Sequence, residues 1–235
     1  MKKFIITGQL LIILVMVSTM QFGQSVEKEW LISPHSVDFN STPPVVSILP
    51  NQSPYEYTDS NGAFDDEGNL LFYIIDAQVY NNTSNFVGLL LEANSGYSLP
   101  IRETNIVPVP GNNNQFYVIY SFGRAYEGQD LLYATIDCSG NNCSILNNAN
   151  LLSHYVYGNN NGVAVSRLFS DNTRRMYLAS NDYIKRFEIR STGIIFQENL
   201  LVYPNDYGLA SYDFDAVQLE LSNDCSKLAW VALII

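Results

Sequence analysis

One short module recurs along the chain and constrains its fold more than any other feature. It is a turn rich in Asp, Asn, Gly or Ser, followed at once by an apolar and aromatic strand. The clearest copy is Asn61–Asn81, where Phe64-Asp65-Asp66-Glu67-Gly68-Asn69 precedes the run Leu70 to Ile75, a break at Asp76 and a second strand-like piece. Asp and Asn side chains bond nearby backbone amides, and Gly takes positive φ without a steric penalty, so Asp65 to Asn69 reads as a turn. So short an apolar run beside a turn reads as a buried strand. The same order returns at Val109–Ile119, Leu168–Leu178 and Leu221–Val231. Anchored on Tyr73, Tyr117, Tyr177 and Trp230, the copies are spaced by 44, 60 and 53 residues. Gly111, Asp171 and Asp224 stand six residues before their anchors, whereas Asp66 lies one place further back. Any one copy alone is an ordinary hairpin. Irregular repeats of this order predict an all-β fold, a β-propeller-like array of antiparallel blades, although two of the three intervals overshoot the roughly 40 to 50 residues of a blade. That reading requires the four anchors to occupy corresponding places.

The first residues stand apart from this pattern. Lys2 and Lys3 precede an apolar segment from Phe4 to about Val17, then Ser18, Thr19, Gly23 and Ser25. This layout predicts a secretory signal peptide over 1–24, leaving 25–235 as the β domain. The apolar core is shorter than the roughly 20 residues that a membrane span needs. Export to the outside or to the cell surface follows, with no span after cleavage. Without Lys2 and Lys3, ten basic residues face 23 acidic ones, a net charge of −13. Phosphate binding relies on basic patches, so nucleic acid is not an expected partner. The ending Trp230-Val231-Ala232-Leu233-Ile234-Ile235 reads as an apolar strand cut short, and a propeller must close to hide its sheet edges. A domain truncated at the carboxyl end is therefore expected.

Between these limits further strands are expected. Trp30 to Ile48 holds one or two strands, and Phe86 to Leu91 another. Ile106 to Ser121 and Leu131 to Asp137 form the next blade. Leu151 to Gly162 is an Asn-rich connector. Tyr183 to Ile189 alternates partly, as a half-exposed strand does, and Gly193 to Phe196 completes its blade. Asp213 to Leu221 opens the last. Cys138 and Cys143 flank Ser-Gly-Asn-Asn, a turn sequence, and in an exported protein this spacing predicts a disulfide across a hairpin. Metal binding is the competing reading and would need further Cys or His nearby. Cys225 is left over and is expected to be buried.

Three stretches resemble a known group. They are Val37-Asp38-Phe39-Asn40-Ser41-Thr42-Pro43-Pro44, the Asn61 unit through Val79-Tyr80-Asn81, and Val107-Pro108-Val109-Pro110-Gly111 with Gln115-Phe116-Tyr117. Together they are similar to the amino-terminal propeller region of large secreted Bacteroidetes proteins associated with gliding-motility or type IX secretion sorting domains. The resemblance spans most of residues 30 to 235 and implies export, a propeller and a surface or adhesive role.

Chemistry is sparse. The chain holds no Gly-x-Ser-x-Gly elbow, His-Glu-x-x-His helix, phosphate loop or dinucleotide fingerprint. His35 and His154 are far apart and read as solvated loop residues. No catalytic residue is assigned. Asp65, Asp66 and Glu67 are the candidate metal ligands. Hard cations want several oxygens, and calcium is the cofactor this cluster would take, although a plain β-turn uses the same residues. Asp213 and Asp215 fall on one strand face, and with an Arg such as Arg167 they would suit a polysaccharide-cleaving enzyme. The expected function is a secreted or surface non-catalytic binder or adhesin for a carbohydrate or protein ligand. A propeller-type glycosidase or lyase is the alternative, and a purely structural spacer is the third reading.

Overall fold

The structure is a computed structural model that describes residues 29–32, 34–51, 60–90, 104–124, 128–139, 142–153, 162–179, 183–202 and 214–234. The expected signal segment, His154 and Asp213 lie outside the described residues. Every regular element described is a strand, and none is a helix able to cross a membrane.

The strands form five antiparallel sheets taken in chain order. The first is β1 (Glu29–Ile32), β2 (His35–Asp38) and β3 (Val45–Ile48). The second is β4 (Ser60–Phe64), β5 (Leu70–Ile75), β6 (Gln78–Asn81) and β7 (Phe86–Leu89). The third is β8 (Thr104–Val109), β9 (Asn112–Arg124), β10 (Gly128–Asp137) and β11 (Ser144–Ser153). The fourth is β12 (Gly162–Val165), β13 (Arg174–Ala179), β14 (Tyr183–Arg190) and β15 (Gly193–Val202), and the fifth is the pair β16 (Phe214–Leu221) and β17 (Leu228–Ile234). Each is a simple meander, so every pairing joins neighbours in sequence. Trp30 to Ile48 thus forms three strands where one or two were expected, and the start of the presumed connector at Leu151 belongs to β11.

The sheets stack face to face because their strands carry apolar residues on both faces. Phe72, Ile74 and Val79 of the second sheet pack on Phe116, Val118, Tyr120, Leu132 and Ile136 of the third. The opposite face of the third, with Val107, Tyr117, Ile119 and Leu131, meets Met176, Leu178, Phe187 and Ile189 of the fourth. Ala164 and Ala179 of the fourth meet Leu219 of the fifth. The first and second sheets share a smaller cluster of Leu49, Tyr73, Ile75 and Tyr80, joined by Leu31 and Leu70. First strands adjoin first strands (β4 beside β8, β12 beside β16), and outer strands adjoin outer ones (β7 beside β11).

All four anchors lie on the second strand of their own sheets. The turns before them share one geometry. The Gly68 N–H donates to the Asp65 carbonyl, Asn172 to Phe169 and Cys225 to Ser222, at 3.0, 3.0 and 2.7 Å. The donor residue in each has positive φ (77°, 60° and 57°), as does Gly111 before β9 (78°). A tight turn followed by one left-handed residue is a common way to join antiparallel strands. Cys225 occupies that left-handed place and is partly exposed, which corrects the expectation that it is buried. Its position is set by the turn, and apolarity has no say in it.

The anchors do not all face the same way. Tyr117 and Tyr177 face the following sheet, whereas Tyr73 faces the preceding one. The cause is an irregularity between β4 and β5: Phe64 pairs with Leu70, but Ala63 pairs with Phe72. The extra residue turns every later side chain of β5 to the opposite face. Phe72, six residues after Asp66, is the residue of β5 that faces the following sheet.

The Cys138–Cys143 disulfide closes the β10–β11 hairpin as expected. Cys138 belongs to the core between the second and third sheets, with Cys143 packed against it.

Candidate functional site: a polar cleft between the first two sheets

The face that the first sheet turns toward the second breaks the apolar rule followed elsewhere. Alternation on β2 places Ser36 and Asp38 on one side, and their cross-strand partners are Leu31 and Ser47, then Glu29 and Val45. Leu31 packs against the second sheet, which identifies the side that points inward. Polar residues therefore occupy much of a face that the stacking would otherwise fill with hydrocarbon.

The result is a cleft of about 490 Å³. Its walls include Glu29, Ser36, Asp38 and Ser47 from the first sheet, and Asn69 and Asn82 from turns of the second. Tyr73 closes the floor, fully buried and stacked on Tyr80 with ring centroids 5.3 Å apart. Asn51 ties the two sheets together, since its Nδ2 donates to the Tyr73 hydroxyl and to the Ser84 carbonyl, both at 3.0 Å. At the rim, Asn40 donates its backbone N–H (2.7 Å) and its Nδ2 (2.8 Å) to Asp38 Oδ1. Such a wall of hydroxyls, amides and two carboxylates can hold a ligand that offers hydrogen-bond donors or positive charge.

The residues singled out from sequence fall elsewhere. Asp65 works within its turn, accepting the Asn69 N–H on Oδ1 (2.7 Å) and Asn69 Nδ2 on Oδ2 (2.9 Å). Asp66 and Glu67 are exposed at the apex, while Gly68 and Asn69 reach the cleft wall. Among the described residues no three His, Cys, Asp or Glu side chains converge as a metal-binding group. Arg167 is exposed in the β12–β13 connection, and His35 is exposed at the start of β2. Asp215 lies on β16, but its side chain is outside what is described. Sequence reading missed Glu29, Ser36, Asp38 and Ser47. The polar alternation of Ser36-Val37-Asp38 was visible, but on a single strand it is the mark of a solvent face.

Other acidic groups serve local structure. Asp224 is held down at about 2 by hydrogen bonds, first from the Ser222 hydroxyl and then from Ser226. Asp137 is also lowered, by Ser139 and then Gln115. Burial, with Tyr133 nearby, pushes the Tyr117 phenol up to about 12, and its hydroxyl donates across to the fourth sheet at the Arg190 and Ser191 carbonyls.

No family model matches this chain, and neither the curated proteins nor the solved structures compared with it give a match.

Proposed function

We propose that this is a secreted or cell-surface binding protein without catalytic activity, built on a propeller-like array, and that the cleft between its first two sheets takes carbohydrate. One observation carries the reading. Apolar side chains fill the interface between the second and third sheets, but the first sheet shares only a smaller apolar cluster with the second, and hydroxyl, amide and carboxylate groups line a cleft beside it. Giving up buried hydrocarbon costs about 25 cal/mol per Å², so a polar interface persists where something other than stability is selected. Carboxylates and amides arranged around a hollow suit the vicinal hydroxyls of a sugar. The disulfide supports an oxidising compartment. The resemblance of the Val37–Pro44 and Asn61–Asn81 stretches to exported propeller regions points the same way.

The test is retention of the purified protein on a panel of immobilised polysaccharides, with protein-coated surfaces alongside. Wild type is expected to be retained on at least one polysaccharide. Ser47→Trp, which fills the cleft from an exposed strand position, is expected to lose that retention while keeping its thermal midpoint. Equal retention of the variant, or retention on protein surfaces alone, would reject the reading. Release of reducing ends from a bound polysaccharide would favour the glycosidase or lyase alternative.

A further inference from the structure

We propose that β3 pairs with the β3 of a second copy of this chain, antiparallel and two-fold symmetric about Ser47. The Leu49 N–H donates to the Pro34 carbonyl at 2.9 Å, which continues the β2–β3 ladder past Ile48. Along an antiparallel strand, residues bonded to a given neighbour alternate with residues that are not. Val45, Ser47 and Leu49 therefore turn their backbone groups toward β2, and Val46 and Ile48 turn theirs outward. Pro44 and Pro50 hold the next outward places and have no N–H to offer. Among the described residues no strand pairs with β3 on that side. The open edge is thus two residues long. Val46 and Ile48, at 63% and 67%, are also the most exposed large hydrophobic side chains described.

Symmetry and charge select a second copy as the occupant. A two-fold axis through Ser47 sets Val46 opposite the counterpart of Ile48, and Ile48 opposite the counterpart of Val46. Each of these pairs exchanges two backbone hydrogen bonds, so every outward N–H and C=O on both edges is satisfied. An axis through Val46 or Ile48 instead sets a proline against the other residue and leaves a carbonyl without a donor. The Ser47 register also lays the Val46 and Ile48 side chains of both copies together on the face opposite Ser47, where they cover one another. The chain carries a net charge of −11, so two copies repel over most of their surface, yet no charged residue occurs between Asp38 and Glu56. Edges that stay single are commonly twisted away by a bulge. The outer strands β7, β11 and β15 each show a register shift against their neighbour, and β3 shows none against β2. The flanking prolines end the new ladder, so pairing stops at two copies. Ser47 and Ile48 line the cleft, and the two clefts therefore open beside one another across the seam. The pairing itself needs nothing bound in either.

The experiment is sedimentation velocity of the purified protein over a range of concentrations, with no ligand added. Wild type should pass from monomer to dimer as concentration rises, and to nothing larger. So short a seam makes the dimer a weak one. Val46→Lys should lose the dimer. Val46→Pro should lose it too, because it removes an outward N–H and leaves the β2 ladder intact. Phe86→Lys, on the bulged outer strand of the second sheet, should dimerise like wild type. Cross-linking in a Cys225→Ser background, with diamide as oxidant, reads the register. Ser47→Cys should join two copies, since directly opposed positions lie within disulfide reach, and Val46→Cys should not. A monomer at every concentration, growth beyond the dimer, a dimer untouched by Val46→Lys, or linking through Val46→Cys in place of Ser47→Cys would each overturn the proposal. A dimer of this register that no polysaccharide retains would leave the pairing standing and remove only the carbohydrate reading of the cleft.

Discussion

At the scale of single residues, the turns depend on short polar side chains that bond their own backbone. Asp65, Asp171 and Asp224 each accept a backbone N–H a few residues on, from Asn69, Thr173 and Ser226 at 2.7, 3.2 and 3.0 Å. Asp224 shows the electrostatic consequence, because four hydrogen-bonding influences hold it at about 2 against an ordinary value of 3.8. A carboxyl with a depressed folded value contributes stability above its unfolded value and loses it as pH falls toward the folded one. Its contribution should therefore fade between pH about 4 and about 2. Carboxyl titration by NMR should place Asp224 near 2, and Ser222→Ala should move it up toward the ordinary value. A midpoint unchanged by Ser222→Ala would mean that the Ser222 hydroxyl, the largest influence, does not act as drawn. The turns were legible from residue types alone, since such bonds reach only a few positions along the chain. Cys225 was misread because cysteine is usually buried, yet here the backbone needs a left-handed residue.

At the scale of elements, short-range pairing made the strands readable. Turn chemistry and apolar runs located β5, β9, β13 and β17, and the spacing of Cys138 and Cys143 marked the hairpin between β10 and β11. Closing so short a loop should stabilise by about 2 kcal/mol through the unfolded state. Cys143→Ser should lower the stability measured by chemical denaturation by about that amount, with further loss only if the packing of Cys143 against the inter-sheet core is disturbed. An unchanged stability would show that the bond contributes nothing beyond its neighbours' packing. The facing of β5 was not legible. A single irregularity at Leu70–Phe72 sends Phe72 toward the third sheet, edge-to-face with Phe116 at 5.4 Å, and Tyr73 toward the first. Repeat spacing counts residues along the chain, and it cannot register which side of the pleat each one occupies.

At the scale of the whole molecule, the first sheet differs from the next three at its outer edge. In the second, third and fourth sheets a fourth strand pairs with the third, but β3 has no described strand on its outer side. Val45, Val46 and Ile48 are consequently 50%, 63% and 67% exposed. An uncharged apolar edge is a template for pairing with another chain, and a lysine placed there suppresses it. Val46→Lys should reduce concentration-dependent light scattering while leaving the thermal midpoint nearly unchanged. A large fall in midpoint would show instead that Val46 is covered and contributes to the core.

The sequence alone determined that this chain makes strands, where its principal turns lie, and that Cys138 and Cys143 join. Each of these follows from residues close together along the backbone, whose sterics and hydrogen bonds act locally. Only the tertiary structure decided that Tyr73 looks backward, that Cys225 sits in a turn, and that Glu29, Ser36 and Asp38 line a cleft and not a wet outer face. Those outcomes depend on which sheet stacks on which face, and that is set by contacts between residues far apart in the chain.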